Sequence, residues 1–259
     1  MNRFSGVLIT AGLTLAASDL SAQNALEEVI VTAQKREQSL QDIPVAITAF
    51  SESDIVTRGI RDVKDIGLFV PNVQIAPSPG ISTGATVAIR GSTTINPALT
   101  WEPTVGLYLD GVFLGKNLGG IFDVAELARV EVLRGPQGTL YGKNTLGGAI
   151  NLITKTPAAE LGGYVEGSIG NEGYTGVRGR FDTGAIGAVG QGLGEFRASF
   201  AYASRSRDGF YDNIDLDPTG GFNPFVNAVS SDTFQDMESD ALRLDLSLAV
   251  SDALELRYS

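Results

Sequence analysis

Residues 130–155 read "VEVLRGPQGTLYGKNTLGGAINLITK". An apolar run from Val130 leads into glycines at 135, 138, 142, 147 and 148, with Lys143 among them, and a second apolar run carries on to Thr154. Glycine beside lysine after a strand raises the phosphate loop, G-x-x-x-x-G-K-[ST] at the start of a helix. Gln137 stands where the first glycine of that pattern belongs, and Asn144 stands where Ser or Thr belongs. The run that follows is β-type, so no helix N-terminus is expected to face an anion. The glycines therefore read as turn formers joining two closely packed strands. Lys143 becomes an ordinary polar loop residue.

Bulk composition narrows the function class. The 259 residues are 43% hydrophobic with a net charge of −11, which is not the profile of a disordered chain. The acidic balance argues against a nucleic-acid partner, which needs a basic face. Cysteine and histidine are both absent. Disulfide frameworks, thiolate chemistry, zinc sites and His-based proton transfer drop out together, so no cofactor or metal is expected. The 32 glycines have no collagen period and must serve turns and close approaches.

The chain opens with Arg3 and the short apolar run "VLITAGLTLAA", Val7 to Ala17, too short to cross a bilayer as a helix. It reads as a signal peptide over 1–22. No later segment has 18 consecutive apolar residues, so any membrane entry must use a β-barrel. Residues 23–41 read as an exposed, extended linker around one apolar patch, Val29-Ile30-Val31. From 42 to 157 the texture is that of a compact α+β unit. "PVAITAF" is a strand, Ser51 and Asp54 form a capping box for a short helix stopping near Gly59, and "RDVKDIGLFVPN" is a second short helix. "ATVAIRG" is a strand, and Asp110-Gly111 joins two strands as a hairpin tip.

The period then changes to 2. From 158 to 259 about five long strands are expected, near 164–170, 174–183, 195–205, 240–250 and 254–259. In "FRASFAYA" and "LRLDLSLAV" apolar and polar residues alternate strictly. Such alternation fits one face of a soluble sandwich as well as a transmembrane barrel. The leader, the strand length and the aromatics on the apolar side favour the barrel. Residues 206–239 form a long polar loop and 251–253 a minimal turn, the long-outside, short-periplasmic asymmetry of outer-membrane barrels. Five strands leave two open edges, so the chain reads as the N-terminal part of a longer protein.

The opening stretch resembles the C-terminal signature of the plug domain in TonB-dependent outer-membrane receptors. "EEVIVTAQ", Glu27 to Gln34, resembles the TonB box, and "DIPVAITAFS", "VPNVQI", "VAIRG" and "VGLYLDGVFLG" resemble successive plug segments in the same order. The resemblance implies an α+β plug with a small mixed sheet, followed by the first antiparallel strands of a barrel. It implies energised uptake of a scarce solute, of the iron-siderophore, cobalamin, haem or carbohydrate class. The partners would be TonB with its inner-membrane complex, outer-membrane lipid and the solute, with plug and N-terminus facing the periplasm. Glu27, Glu28, Val29, Ile30, Val31, Thr32 and Ala33 would bind TonB by adding as a strand to its sheet edge. By the same resemblance, Arg90 and Arg134 would pair with barrel carboxylates. Trp101 and Asp110 are candidates to face the ligand, Asp110 being first of all a turn residue and Trp101 equally a packing residue.

Two other classes remain open on the residues alone. A porin or adhesin would explain the strands but not the globular unit before them. A secreted enzyme with a carboxylate pair lacks any spacing that singles such a pair out, so no enzymatic activity is expected.

Overall fold

The computed structural model describes residues 30–32, 38–78, 81–94, 101–115, 126–190, 192–212, 233–234 and 236–259. The expected signal peptide lies outside them, as do Glu27, Glu28, Val29 and Ala33.

The N-terminal unit begins with a short antiparallel ribbon, β1 (Ile30–Val31) on β2 (Gln38–Ser39), with Ile30 opposite Ser39. β3 (Ile47–Ser51) leads into helix α1 (Glu52–Arg58). The expected capping box is present: Ser51 accepts from the Asp54 N–H, and the Asp54 side chain accepts from the Ser51 N–H. Gly59, at φ 66, ends the helix in the left-handed conformation that favours glycine. The second helix, α2 (Val63–Ile66), is only one turn, capped by Asp62. The chain beyond it turns into β4 (Val73–Ser78), which pairs with β5 (Ile81–Ile89) and through it with β6 (Ser92–Thr93).

The main sheet of this unit is mixed. It adds β7 (Val105–Leu109), β8 (Val112–Phe113), β9 (Leu127–Arg134) and β10 (Gly148–Thr154), in the order β3-β9-β10-β7-β8. β10 runs parallel to β7 and antiparallel to β9. Its pleat sorts the opening stretch by face. Val130, Val132, Ile150 and Leu152 join Val105 and Leu107 in the larger core, against α1, α2 and β5. Leu133 and Ala149 point the other way and pack with Tyr108, Ile43 and Val31. The loop between β9 and β10 contains one helical turn, α3 (Gly138–Tyr141). A β-only loop was expected there. The turn precedes Gly142-Lys143 rather than following it, the reverse of a phosphate loop.

The second unit is a five-stranded antiparallel sheet of sequential neighbours: β11 (Leu161–Ile169), β12 (Thr175–Thr183), β13 (Glu195–Arg207), then, past a small ribbon of β14 (Tyr211–Asp212) and β15 (Thr233–Phe234), β16 (Met237–Ser251) and β17 (Leu254–Tyr258). β16 starts before the end of the expected loop because Met237 to Ser239 pair with Arg207 to Arg205. Its two faces reverse the soluble order. Asp245, Ser199 and Arg180 are 1%, 2% and 8% exposed, whereas Ile169, Val165 and Leu242 are 89%, 83% and 69% exposed. A soluble sheet hides its apolar face and wets its polar one. This sheet turns its polar face to the mixed-sheet unit and its apolar face outward, as a transmembrane barrel wall does.

Candidate functional site: a plug docked on its wall and holding its own N-terminal segment

Two ion networks join the units, one on each side of the chain leaving β10. The first centres on the hairpin tip. Asp110 and Gly111, at φ 48 and 82, take the left-handed pair of a tight two-residue turn. The Asp110 carboxylate accepts from the Thr154 N–H at 2.9 Å, from the Thr154 hydroxyl at 2.7 Å, and from Arg243 Nη2 at 3.1 Å. Arg243 reaches in from β16, donates to Thr154 Oγ1 at 2.8 Å, and forks onto Asp245 at 2.7 and 2.8 Å. Arg257 from β17 adds a bond to Thr154 Oγ1 at 3.2 Å and lies 3.7 Å from Asp245.

The second centres on Glu126, buried and held at φ 67 just before β9. It accepts from the Tyr164 hydroxyl, from Arg180 Nη1 at 3.2 Å, and lies 3.3 Å from Lys155 Nζ. Lys155 also bridges to Glu52 of α1 at 2.9 Å. Arg180 forks onto Asp182 with two 2.7 Å bonds and donates to the Thr156 carbonyl at 2.9 Å. Asp182 in turn accepts from the Ala158 N–H at 2.9 Å. The buried charges Glu126, Arg180, Asp182 and Asp245 all have partners, as a poorly hydrated interface requires.

The third cluster lies on the far face of the mixed sheet. Glu131, Asn151 and Tyr108 form one rung across β9, β10 and β7. Glu131 is wholly buried. Its carboxylate accepts from the Thr32 N–H at 2.7 Å, the Thr32 hydroxyl at 3.1 Å, Arg129 Nε at 2.9 Å and Asn151 Nδ2 at 3.3 Å. Arg129 Nη2 donates back to Thr32 Oγ1 at 3.2 Å. Beside this cluster Tyr108 donates to the Tyr141 carbonyl at 2.6 Å. Burial, then the neighbouring Glu131 and Tyr108, push the Tyr141 phenol up to about 12.

The residues singled out in the sequence fall in different places. Ile30, Val31 and Thr32 are docked on the plug, and the Val31 side chain has no exposure at all. An exposed extended segment was expected here. The burial follows from Val31 completing the apolar patch of Leu133, Ala149 and Tyr108. Arg90 Nη1 lies 3.5 Å from where a Cβ on Gly135, the residue after Arg134, would stand. Among the described residues neither arginine makes an ion pair, and Arg134 Nε is buried without an acceptor. Trp101, 58% exposed, precedes β7, and Asp110 follows it, so the two stand at opposite ends of one strand and share no apex. Asp110 faces the wall, through its bond to Arg243. Lys143 pairs with exposed Glu102 at 2.6 Å. Glu126, Glu131, Arg180 and Arg243 were not singled out. For Glu131 a signal existed, an acid in the apolar run "RVEVL". For the wall arginines the alternation gave the face but not the partner.

The geometry agrees with the comparisons. Residues 39–149 match the model of the TonB-dependent Receptor Plug Domain. The pesticin receptor of Yersinia pestis is 32% identical over 165 residues, which is 63% of this chain and 23% of that protein. The vitamin B12 transporter BtuB of Vibrio vulnificus is 32% identical over 168 residues, 62% of this chain and 26% of that one. The chain thus spans about a quarter of the length of these relatives. The crystal structure of the ferric yersiniabactin uptake receptor FyuA from Yersinia pestis superposes with a TM-score of 0.62 at 27% identity, over 80% of this chain and 29% of that one. The pyoverdine outer-membrane receptor FpvA of Pseudomonas aeruginosa shares the fold, with a TM-score of 0.66 at 19% identity over 88% of this chain and 29% of its own. A mixed-sheet plug, an antiparallel wall with its apolar face outward, and relatives that are receptors and transporters converge: the chain belongs to the TonB-dependent outer-membrane receptors.

Proposed function

We propose that this protein takes up a scarce solute across the outer membrane, in TonB-energised fashion. The observation that carries the reading is the plug tied by ion pairs to the polar face of a sheet whose other face is apolar. A barrel so filled is closed to passive flow, so passage needs work done on the plug. In this reading 1–22 is a signal peptide, 23–41 the TonB-binding segment and linker, 42–157 the plug, and 158–259 the first barrel strands. The plug and N-terminus face the periplasm. Glu27 to Ala33 are the handle: the β-branched Val29, Ile30, Val31 and Thr32 suit strand addition to TonB. In the same reading Arg90 and Arg134 take carboxylates from the barrel wall. The solute class we favour is a metal chelate or cobalamin, after the ferric yersiniabactin receptor FyuA and the B12 transporter among the relatives.

The test is Val31→Pro in the full-length receptor. Proline removes a ladder N–H and breaks strand addition. Uptake of ferric siderophore or labelled cobalamin should cease while outer-membrane assembly and surface capture persist. Unchanged energy-dependent uptake, or uptake that ignores loss of proton-motive force, would leave a porin or adhesin as the better reading.

A further inference from the structure

The acid in "VEVLRGP" has no part in the function just described, and its placement is costly. A carboxylate with no solvent exposure loses its hydration and is unstable there unless donors replace the water. Glu131 lies on the β9 face that carries Leu133, opposite to Val130 and Val132, it has no solvent exposure, and among the described residues its only charged partner is Arg129. Two of its donors, the Thr32 N–H and hydroxyl, belong to a segment about a hundred residues away in sequence. Arg129 closes the ring by donating to the same Thr32 hydroxyl. The ring fixes both backbone and side chain of Thr32, and Val31 beside it sits in the Leu133–Ala149–Tyr108 patch.

We infer that Glu131 is a positioning residue for the N-terminal handle: with Arg129 it forms a latch that keeps residues 30–32 docked on the plug and unavailable to a partner strand. The inference rests on the reading of 27–33 as the TonB-binding segment. The latch and the partner compete for the same atoms. A partner sheet that adds this segment as a strand needs alternate side chains free to set register. Val31 has none of its surface free, and its backbone is paired with Gln38. Release must break the Thr32 bonds and leave Glu131 with Arg129 and Asn151. That under-satisfied buried charge favours re-docking, so the handle is withdrawn by default. Because Glu131 lies in β9, between β3 and β10, a pull on the handle is delivered to the centre of the plug sheet.

The test uses the full-length receptor purified in detergent micelles, where both faces are open to solvent, with cysteine introduced at Val31 and labelled by a water-soluble maleimide-polyethylene glycol. Glu131→Gln keeps the shape and weakens the charge-assisted bonds. Thr32→Val removes the hydroxyl that bonds both Glu131 and Arg129 while keeping a β-branched strand former with its N–H, so it reports from outside the sheet even where Glu131→Gln impairs assembly. Both should speed labelling at least tenfold and increase capture of the purified periplasmic domain of TonB. Labelling within twofold of the parent in both variants overturns the latch. Faster labelling with no gain in TonB capture sustains the latch and removes the assignment of the segment to TonB. TonB capture that rises while labelling is unchanged also overturns it.

Discussion

Arg243→Ala offers the sharpest test of the plug–wall interface. In one step it deletes the fork onto Asp245, the bond to Asp110 and the bond to Thr154. Asp245 is 2% exposed at its side chain and would be left charged and nearly dry. Removing one partner of a buried pair costs about 3–5 kcal/mol. Two features lower that figure. The Arg243 side chain is itself one-fifth exposed, and Arg257 stands 3.7 Å from Asp245, close enough to take over part of the charge. We therefore expect a loss of about 2–3 kcal/mol in the local stability of the Asp110–Thr154 tip, or roughly 30- to 150-fold at 1.36 kcal/mol per tenfold. The assay is amide hydrogen exchange in the full-length receptor, read at Thr154, whose N–H is bonded to Asp110 Oδ1. Val132, at the centre of the same plug sheet, serves as the internal reference. Arg243→Lys should fall between, since an ammonium keeps the charge but not the planar fork. Thr154 exchange within threefold of the parent in Arg243→Ala would refute the claim that this arginine ties plug to wall.

Further outcomes follow from the other parts. Gly148→Ala should cost about 3–5 kcal/mol or block assembly, because φ is +150 and a Cβ would stand 2.2 Å from the Leu133 carbonyl oxygen; denaturant melting of the plug reads it. Ser51→Ala should cost about 1 kcal/mol through the lost cap of α1, read in the same melt with Ser53→Ala as reference. Burial raises the Asp54 carboxyl, but the Ser51 hydrogen bonds and Arg58 outweigh it and hold the group below its ordinary 3.8. Its contribution is thus present above that value and is lost as pH falls below it, so the Ser51→Ala deficit should shrink in acid. Tyr141 has the opposite sense: its phenol is raised from 10.0 to about 12, so the stability it lends is whole below pH 10 and is lost as pH rises towards 12. Ultraviolet titration of Tyr141→Phe against the parent should show one late-ionising phenol missing. Phe200→Lys on the outward face should cost about 2–4 kcal/mol in lipid if it lies near the bilayer midplane, whereas Ser199→Ala beside it on the inner face should not, as folding into vesicles would reveal.

Much of the fold is legible in local pattern because local physics sets it. The Ser51/Asp54 box, the Gly59 stop, the Asp110-Gly111 turn and the alternation of β13 and β16 all rest on residues within a few positions of one another. What was not legible depends on distant pairing. Glu131 meets Thr32 across ninety-nine positions and Arg243 meets Asp110 across one hundred and thirty-three. No local rule reports such partners. Val31 was misjudged for the same reason: a β-branched triplet in a polar setting looks exposed until Leu133, Ala149 and Tyr108 are known to leave a gap for it. Alternation alone did not say which face of the wall meets lipid either. The buried Arg180 and Asp245 against the exposed Val165 and Leu242 decided that.

The wall's inner charges bear on how the molecule comes to exist. Arg180 and Arg243 each hold one carboxylate from their own strand and one from the plug, Glu126 and Asp110. Strands inserted without the plug would carry half-neutralised guanidinium groups along an empty lumen. The plug precedes the strands in the chain, so it is made first and is at hand when they meet the bilayer. The plug presents the counter-charges that complete both guanidinium groups, so wall strands and plug neutralise each other only where they meet.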